Sequence, residues 1–201
     1  VVDGKPFPLP EQQYLLSPQD LSGIELIPQI IKSGVCSLKI EGRLKSPLYV
    51  ASVTRIYREA LDRAFPDSGT SPANAATKYE LEMAFSRGLS SGWLGGIDNQ
   101  KLVHARYPKK RGAYLGTVIS SRTTSGREEV KVKLIAPLAL GDGVVFDCGD
   151  PQTEEEGGRV YEIEANGSTA VLRFKNGGIN TEAISPGSRV YKTSDPHLER
   201  E

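Results

Sequence analysis

Turn residues cut the last part of the chain into short pieces, and nothing else in the sequence limits the fold as tightly. Gly141-Asp142, Gly157-Gly158, Asn166-Gly167, Asn176-Gly177-Gly178 and Pro186-Gly187 all favour tight reversals. The pieces around them read as strands: Leu115 to Ser121, Glu129 to Ile135, Gly143 to Asp147, Arg159 to Glu164, Thr169 to Phe174 and Arg189 to Thr193. In the second, Val130, Val132 and Leu134 alternate with Lys131 and Lys133, the period-two pattern of a strand with one wet face. Six short strands at this spacing predict a small antiparallel β-barrel over 113–194, because closure removes exposed sheet edges. A polar tail, 195–201, follows.

The first third, 1–66, is patterned differently. After a proline-rich opening, Tyr14-Leu15-Leu16 reads as a buried strand and Pro18-Gln19-Asp20-Leu21 as a turn of helix capped by Ser17. Leu26, Ile27, Ile30 and Ile31 sit at helical spacing, with Pro28 in the first turn and Gly34 as a left-handed cap. Val35 onward is the next expected strand. Ser46-Pro47 then starts a helix whose apolar face is Val50, Val53, Ile56, Tyr57, Ala60, Leu61 and Ala64, and Pro66 stops it. Strand, helix, strand, helix predicts parallel strands with crossover helices. Two such units cannot close a sheet, and the chain opens at Val1 without an initiator methionine. The expectation is a piece of a longer protein whose missing amino-terminal half supplies the remaining strands.

Residues 67–112 connect the two regions. Asp67 to Ala76 is a linker rich in small and polar residues, and a helix is expected from about Thr77 to Arg87, ended by Gly88. Gly92-Trp93-Leu94-Gly95-Gly96 is glycine-rich, but no Lys-Ser/Thr pair follows, so it does not read as a phosphate loop. From Lys101 to Gly112 the chain carries Lys101, Arg106, Lys109, Lys110 and Arg111, interleaved with His104 and Tyr107 and without an acid. That pattern suits either a nucleic-acid contact or a solvated linker.

The candidate site is the stretch Ser37 to Pro47. Lys39, Glu41, Arg43 and Lys45 occupy alternate positions around Gly42, between an expected strand and a helix. The carboxyl end of a strand is where α/β proteins place their chemistry. The bland alternative is a solvated turn with an internal ion pair.

Composition narrows the classes. A formal net charge of +0 excludes a strongly basic or acidic protein, although local patches remain. Two cysteines, Cys36 and Cys148, are too few for a disulfide framework or a cysteine-only metal site. They suit a reducing compartment, the cytoplasm or, in a eukaryote, an organellar stroma or matrix. No signal peptide and no membrane-spanning apolar run is visible.

Several motifs resemble peptidase family U-32, the collagenase-like proteases. They are Tyr14 to Leu21, Ile27-Pro28 with Gly34, Ser37 to Ser46, Tyr49-Val50-Ala51, Tyr57-Arg58, Phe85 to Gly88, Ser91 to Leu94, Arg111-Gly112 and Leu115-Gly116. The resemblance implies a mixed α+β chain. Residues up to about Phe65 would be the end of a TIM-like barrel, and the β region a small barrel akin to the second domain of translation elongation factors. It also implies a choice of activity. Some members of the family are tied to hydroxylation of RNA bases and others to ring hydroxylation in quinone synthesis. Those members resemble iron–sulfur proteins with cysteine ligands in the barrel. Many relatives carry a cysteine after the Asp-Leu pair, where this chain has Ser22. No cofactor or metal is therefore expected on this chain's own residues; an iron–sulfur cluster would belong to the full-length parent.

Three functional readings remain open. For RNA-base modification, Lys39, Glu41 and Arg43 are the candidate catalytic residues. Lys45, Asp20, Lys109, Lys110 and Arg111 are then the candidate substrate contacts, with RNA as partner. For peptide cleavage, the histidines His104 and His197 lack metal-ligand spacing and Cys36 has no histidine near it in sequence, which leaves Asp20 with Glu41 as a carboxylate pair. The third reading is a non-catalytic module that binds RNA or protein.

Overall fold

The computed structural model describes residues 4, 18–65, 74–85, 88–99, 102–103, 111–124, 126–149 and 154–198. The expected strand at Tyr14–Leu16 and most of the linker at 67–76 lie outside them. The chain divides into two compact units, one made mainly of residues 19–102 and the other mainly of residues 113–198.

In the first unit, Asp20–Leu21 forms strand β1. It pairs in parallel with β2, Leu89–Ser90. The helical turn expected at Pro18–Leu21 is therefore not formed. The Asp20 N–H donates to the Gly88 carbonyl at 2.9 Å and the Ser22 N–H to the Ser90 carbonyl at 2.8 Å. Those partners are distant in sequence, so local propensity could not show them.

The helices follow expectation. A 3-10 turn, Ile24–Leu26, leads into α1, Ile27–Lys32, with Pro28 in its first turn and Gly34 in the left-handed region after it. Helix α2 is Pro47–Ala64, and the Ser46 hydroxyl accepts the Tyr49 N–H at 3.2 Å as its cap. Helix α3 is Ala75–Phe85, starting behind Asn74, whose side-chain oxygen accepts the Thr77 N–H at 2.8 Å. Ile24, Ile27, Val53, Ile56, Ala60 and Leu81 make the core of this unit, with Ile40, Tyr49 and Tyr57 packed against it.

The strand expected from Val35 is absent: residues 35–42 carry no regular structure and pair with no described strand. A parallel strand takes its hydrogen bonds from neighbours, and no described segment offers them here. Val35 and Leu38 are correspondingly exposed, while Ile40 anchors the segment to the core.

The second unit is a seven-stranded antiparallel sheet. Its strands are β3 Ala113–Thr124, β4 Arg127–Leu134, β5 Gly143–Asp147, β6 Gly157–Arg159, β7 Glu162–Asn166, β8 Thr169–Arg173 and β9 Arg189–Ser194. Their spatial order is β6-β5-β9-β3-β4-β8-β7. The single strand expected at Arg159–Glu164 is two. Gly157–Arg159 pairs with β5, Glu162–Asn166 pairs with β8, and the buried Val160 lies at the switch. The two ends of the strand order are thus successive pieces of chain, and the sheet curls into a half-barrel.

Leu115, Val130, Val132, Phe146, Leu172 and Val190 fill the inside of the curl, with Phe146 edge-on to Phe174 at 5.8 Å between ring centres. Gly116 is irreplaceable at φ +146°, because a Cβ there would stand 1.9 Å from the Lys133 carbonyl oxygen. Among the described residues, no helix is long and apolar enough to cross a membrane.

Candidate functional site

The stretch 37–46 is held by three local contacts. Ile40 packs inward, which turns Lys39 and Glu41 outward. The Glu41 carboxylate accepts the Arg43 N–H at 2.9 Å and closes a small turn. The Lys45 N–H donates to the Gly42 carbonyl at 3.0 Å. Gly42 is required by proximity: a Cβ there would come within 2.6 Å of the Val50 side chain on α2. The Lys39–Glu41 ion pair is long, 3.9 Å, with the two side chains 88% and 72% exposed, so it contributes little to stability.

Tyr49 is the side chain around which the charged groups gather. Burial pushes its phenol above the ordinary tyrosine value, and the nearby Asp20, Tyr57 and Glu41 push it the same way. The Lys45 ammonium lies 5.5 Å from the centre of its ring. Lys45 thus lies over the ring, and Asp20 and Glu41 act on the phenol through their charge, although the three come from the residue before the α2 cap, β1 and the 37–46 stretch. Tyr57, two helical turns further along α2, accepts the Gly23 N–H at 3.0 Å and ties the segment after β1 to the same helix face. Sequence reasoning placed Tyr57 among core residues and gave Tyr49 no role. Their eight-residue spacing, which puts both hydroxyls on one face of α2, was the available signal.

Chemically, the arrangement offers a protonated phenol with two carboxylates and a cation beside it. It can donate a hydrogen bond to an oxygen or ring nitrogen while cations hold an anion nearby. An open cavity of about 440 Å³ is lined by Val35, Cys36, Leu38, Ile40, Tyr57 and Phe65 among others.

The other expected contacts are placed less fully. Lys109 and Lys110 lie outside the described residues, as do Lys101, His104, Arg106 and Tyr107. Arg111 is described and is buried, 6% exposed, rather than facing solvent. Cys36 and Cys148 are unbridged and belong to different units. Among the described residues no group of three or more His, Cys, Asp and Glu side chains is placed to hold a metal ion. The Ser22 hydroxyl is buried without a hydrogen-bond partner. One serine and one exposed thiol do not make an iron–sulfur site, so these residues do not fit such a cluster by themselves.

A buried polar constellation also appears in the sheet unit, where the sequence had suggested only a turn at Gly141-Asp142. The Lys192 ammonium lies 2.7 Å from the fully buried Asp142 carboxylate and 3.0 Å from that of Asp195. Asp142 also accepts the Ala139 N–H at 2.8 Å, and Asp195 accepts the N–H groups of His197 and Leu198. These buried pairs pin β9 to the residue before β5.

Comparison with known proteins gives a consistent set of relatives. A "Collagenase" of Porphyromonas gingivalis is 30% identical over 190 residues, covering 90% of this chain and 44% of the relative. A "tRNA hydroxylation protein P" of Haemophilus influenzae is 31% identical over 134 residues, covering 65% of this chain and 28% of the relative. A 23S rRNA 5-hydroxycytidine synthase of Escherichia coli is 28% identical over 146 residues, covering 66% of this chain and 20% of the relative. The chain spans about half the length of the curated relatives it matches over most of its residues. No solved structure matches it significantly. Peptidase family U32 matches residues 3–104, the stretch that carries Asp20, Glu41, Lys45 and Tyr49. The chain belongs to peptidase family U32.

Proposed function

We propose that this chain is the carboxyl-terminal part of a U32 protein that modifies RNA bases by hydroxylation. The observation that carries the reading is the Lys45 ammonium over the Tyr49 ring, beside the Glu41 turn, within the matched region. Relatives named for tRNA and rRNA hydroxylation match across a large part of the same chain. In this reading residues up to about Phe65 are the closing units of a TIM-like barrel, and the rest of the barrel lies in the other half of the parent. The half-barrel sheet is the analogue of an elongation-factor second domain and docks RNA. Glu41 orients Lys39 and the 43–45 turn, Tyr49 donates a hydrogen bond to the base, and Lys45 with Arg43 holds phosphate. Lys109 and Lys110 extend the phosphate track. Any iron–sulfur cluster takes its ligands from the parent's other half. The two unbridged cysteines suit the cytoplasm, or an organellar stroma or matrix.

Two measurements test this. RNA affinity should fall steeply with salt, and the slope should flatten when Lys109 and Lys110 are changed to Ala. In the full-length protein Glu41→Gln should abolish base hydroxylation while leaving the melting temperature unchanged, because Glu41 is exposed and its ion pair is weak. A flat salt response, or a Glu41→Gln protein that no longer folds, refutes the assignment.

Peptide cleavage is the second reading, favoured by the 90% coverage in the alignment with the collagenase. Here Asp20 and Glu41 would act as the carboxylate pair. Gelatin hydrolysis by the full-length protein, lost in Glu41→Gln, would select it over RNA modification.

A further inference from the structure

We propose that Trp93 is a stacking platform for an unpaired nucleobase, on a loop seated beside the strand that carries Asp20; the proposal rests on the RNA reading above. The loop at 91–97 is built from two tight turns. The Leu94 N–H donates to the Ser91 carbonyl at 3.1 Å, and the Gly96 N–H to the Trp93 carbonyl at 3.0 Å. The Gly92 N–H also donates to the Ser90 hydroxyl at 3.1 Å, tying the loop to β2.

Close approaches then fix the loop against the chain around β1. A Cβ on Gly92 would stand 2.8 Å from the Leu21 side chain, and one on Gly23 would stand 3.2 Å from that of Leu94. Gly23 is the residue whose N–H donates to Tyr57, on the helix face shared with Tyr49. Through these contacts the loop adjoins the candidate site.

Trp93 itself takes no part in that packing. It is 61% exposed, and its indole N–H donates to the Asn99 side-chain oxygen at 3.2 Å. The N–H edge of the ring is held, and more than half of the residue is exposed. A fixed aromatic face loses little entropy when a flat partner settles on it. Leu94 and Ile97, both exposed on the same loop, offer apolar side chains for the other side of the partner.

A nucleobase suits this surface for two reasons. Enzymes that act on a base draw it out of the stack and hold it between aromatic and apolar side chains. Lys39, Arg43 and Lys45 belong to the same unit and supply the cations that the attached phosphates need.

Trp93 is the only tryptophan in the chain, so its fluorescence reports on this position alone. The test adds a short single-stranded RNA of mixed sequence to the full chain at low salt. Tryptophan emission and the anisotropy of a labelled copy of the RNA are followed together. Saturable quenching should accompany binding. Trp93→Ala should weaken binding about 5- to 150-fold, and Trp93→Phe should restore most of the loss. Both variants should melt as the parent does, because the ring lies outside the core.

RNA binding with unchanged emission and full affinity in Trp93→Ala would overturn the platform and leave the RNA reading standing. Absence of binding by anisotropy would remove both. Quenching or a blue shift with a gelatin peptide, but not with RNA, would assign the surface to protein and overturn the proposal.

Discussion

In the sheet unit Leu115, Val130, Val132, Phe146, Leu172 and Val190 are fully buried, and the buried Lys192 ammonium pairs with the carboxylates of Asp142 and Asp195. In the helical unit Ile24, Ile27, Val53, Ile56, Ala60 and Leu81 are buried, but Val35, Leu44, Leu48 and Phe65 face water. The sheet unit also exposes Ile119, Ile135 and Leu140, but among the described residues its buried cluster is the larger. The helical unit leaves much of its apolar surface open, on the same side chains that line its cavity or flank the charged turn. The charged turn and the smaller buried cluster therefore coincide in one unit, and the larger cluster lies in the other. Self-sufficient packing favours a docking platform, whereas sites that must admit substrate are drawn from the less stable parts of a fold.

The contrast can be broken at the pin. Asp142→Ala leaves the Lys192 ammonium with a single carboxylate in a buried setting and should cost the sheet unit about 3–5 kcal/mol. Peptide-resolved hydrogen exchange should show β4, β8 and β9 losing protection while α2 keeps its own. In the helical unit Ile56→Ala should cost about 2–5 kcal/mol, with the loss confined to α2 and α3 by the same measurement. If either change lowers protection equally in both units, the two do not unfold separately and the comparison fails.

Smaller changes sharpen it. Ser46→Ala removes the hydroxyl that accepts the Tyr49 N–H and should cost about 1 kcal/mol in urea unfolding. In the sheet unit, Arg173 and then Arg122 hold the Glu129 carboxyl below the usual glutamate range. A depressed folded value means the pairing stabilises above the ordinary glutamate pKa of about 4.3 and is lost as pH falls through the folded value. Glu129→Gln should therefore flatten the loss of stability between about pH 5 and pH 3, read from thermal melts at each pH.

What was legible in the sequence follows the same division. The sheet strands were readable because their signals are local: Asn166-Gly167 lies between β7 and β8, and Val130, Val132 and Leu134 alternate with lysines. The division of 157–166 at Val160 was not readable, since it depends on which neighbour each half meets. Caps and helical periodicity announced α1 and α2, whereas β1 was read as a helical turn because its partner β2 lies far along the chain. The turn before α2 was readable from Gly42 and the Ser46-Pro47 start, whereas the strand expected to lead into it did not form. Tyr49 was given no role because its packing against the core and the Lys45 ammonium over its ring depend on the tertiary structure.

The bend at Val160 has a practical consequence. One short run of backbone supplies the outermost strand on both rims, and those rim strands are only three and five residues long. A newly synthesised or stretched copy thus offers other chains little template for strand addition. A single protease cut between Arg159 and Glu162 would separate the two rim strands from each other while leaving each paired, β6 with β5 and β7 with β8.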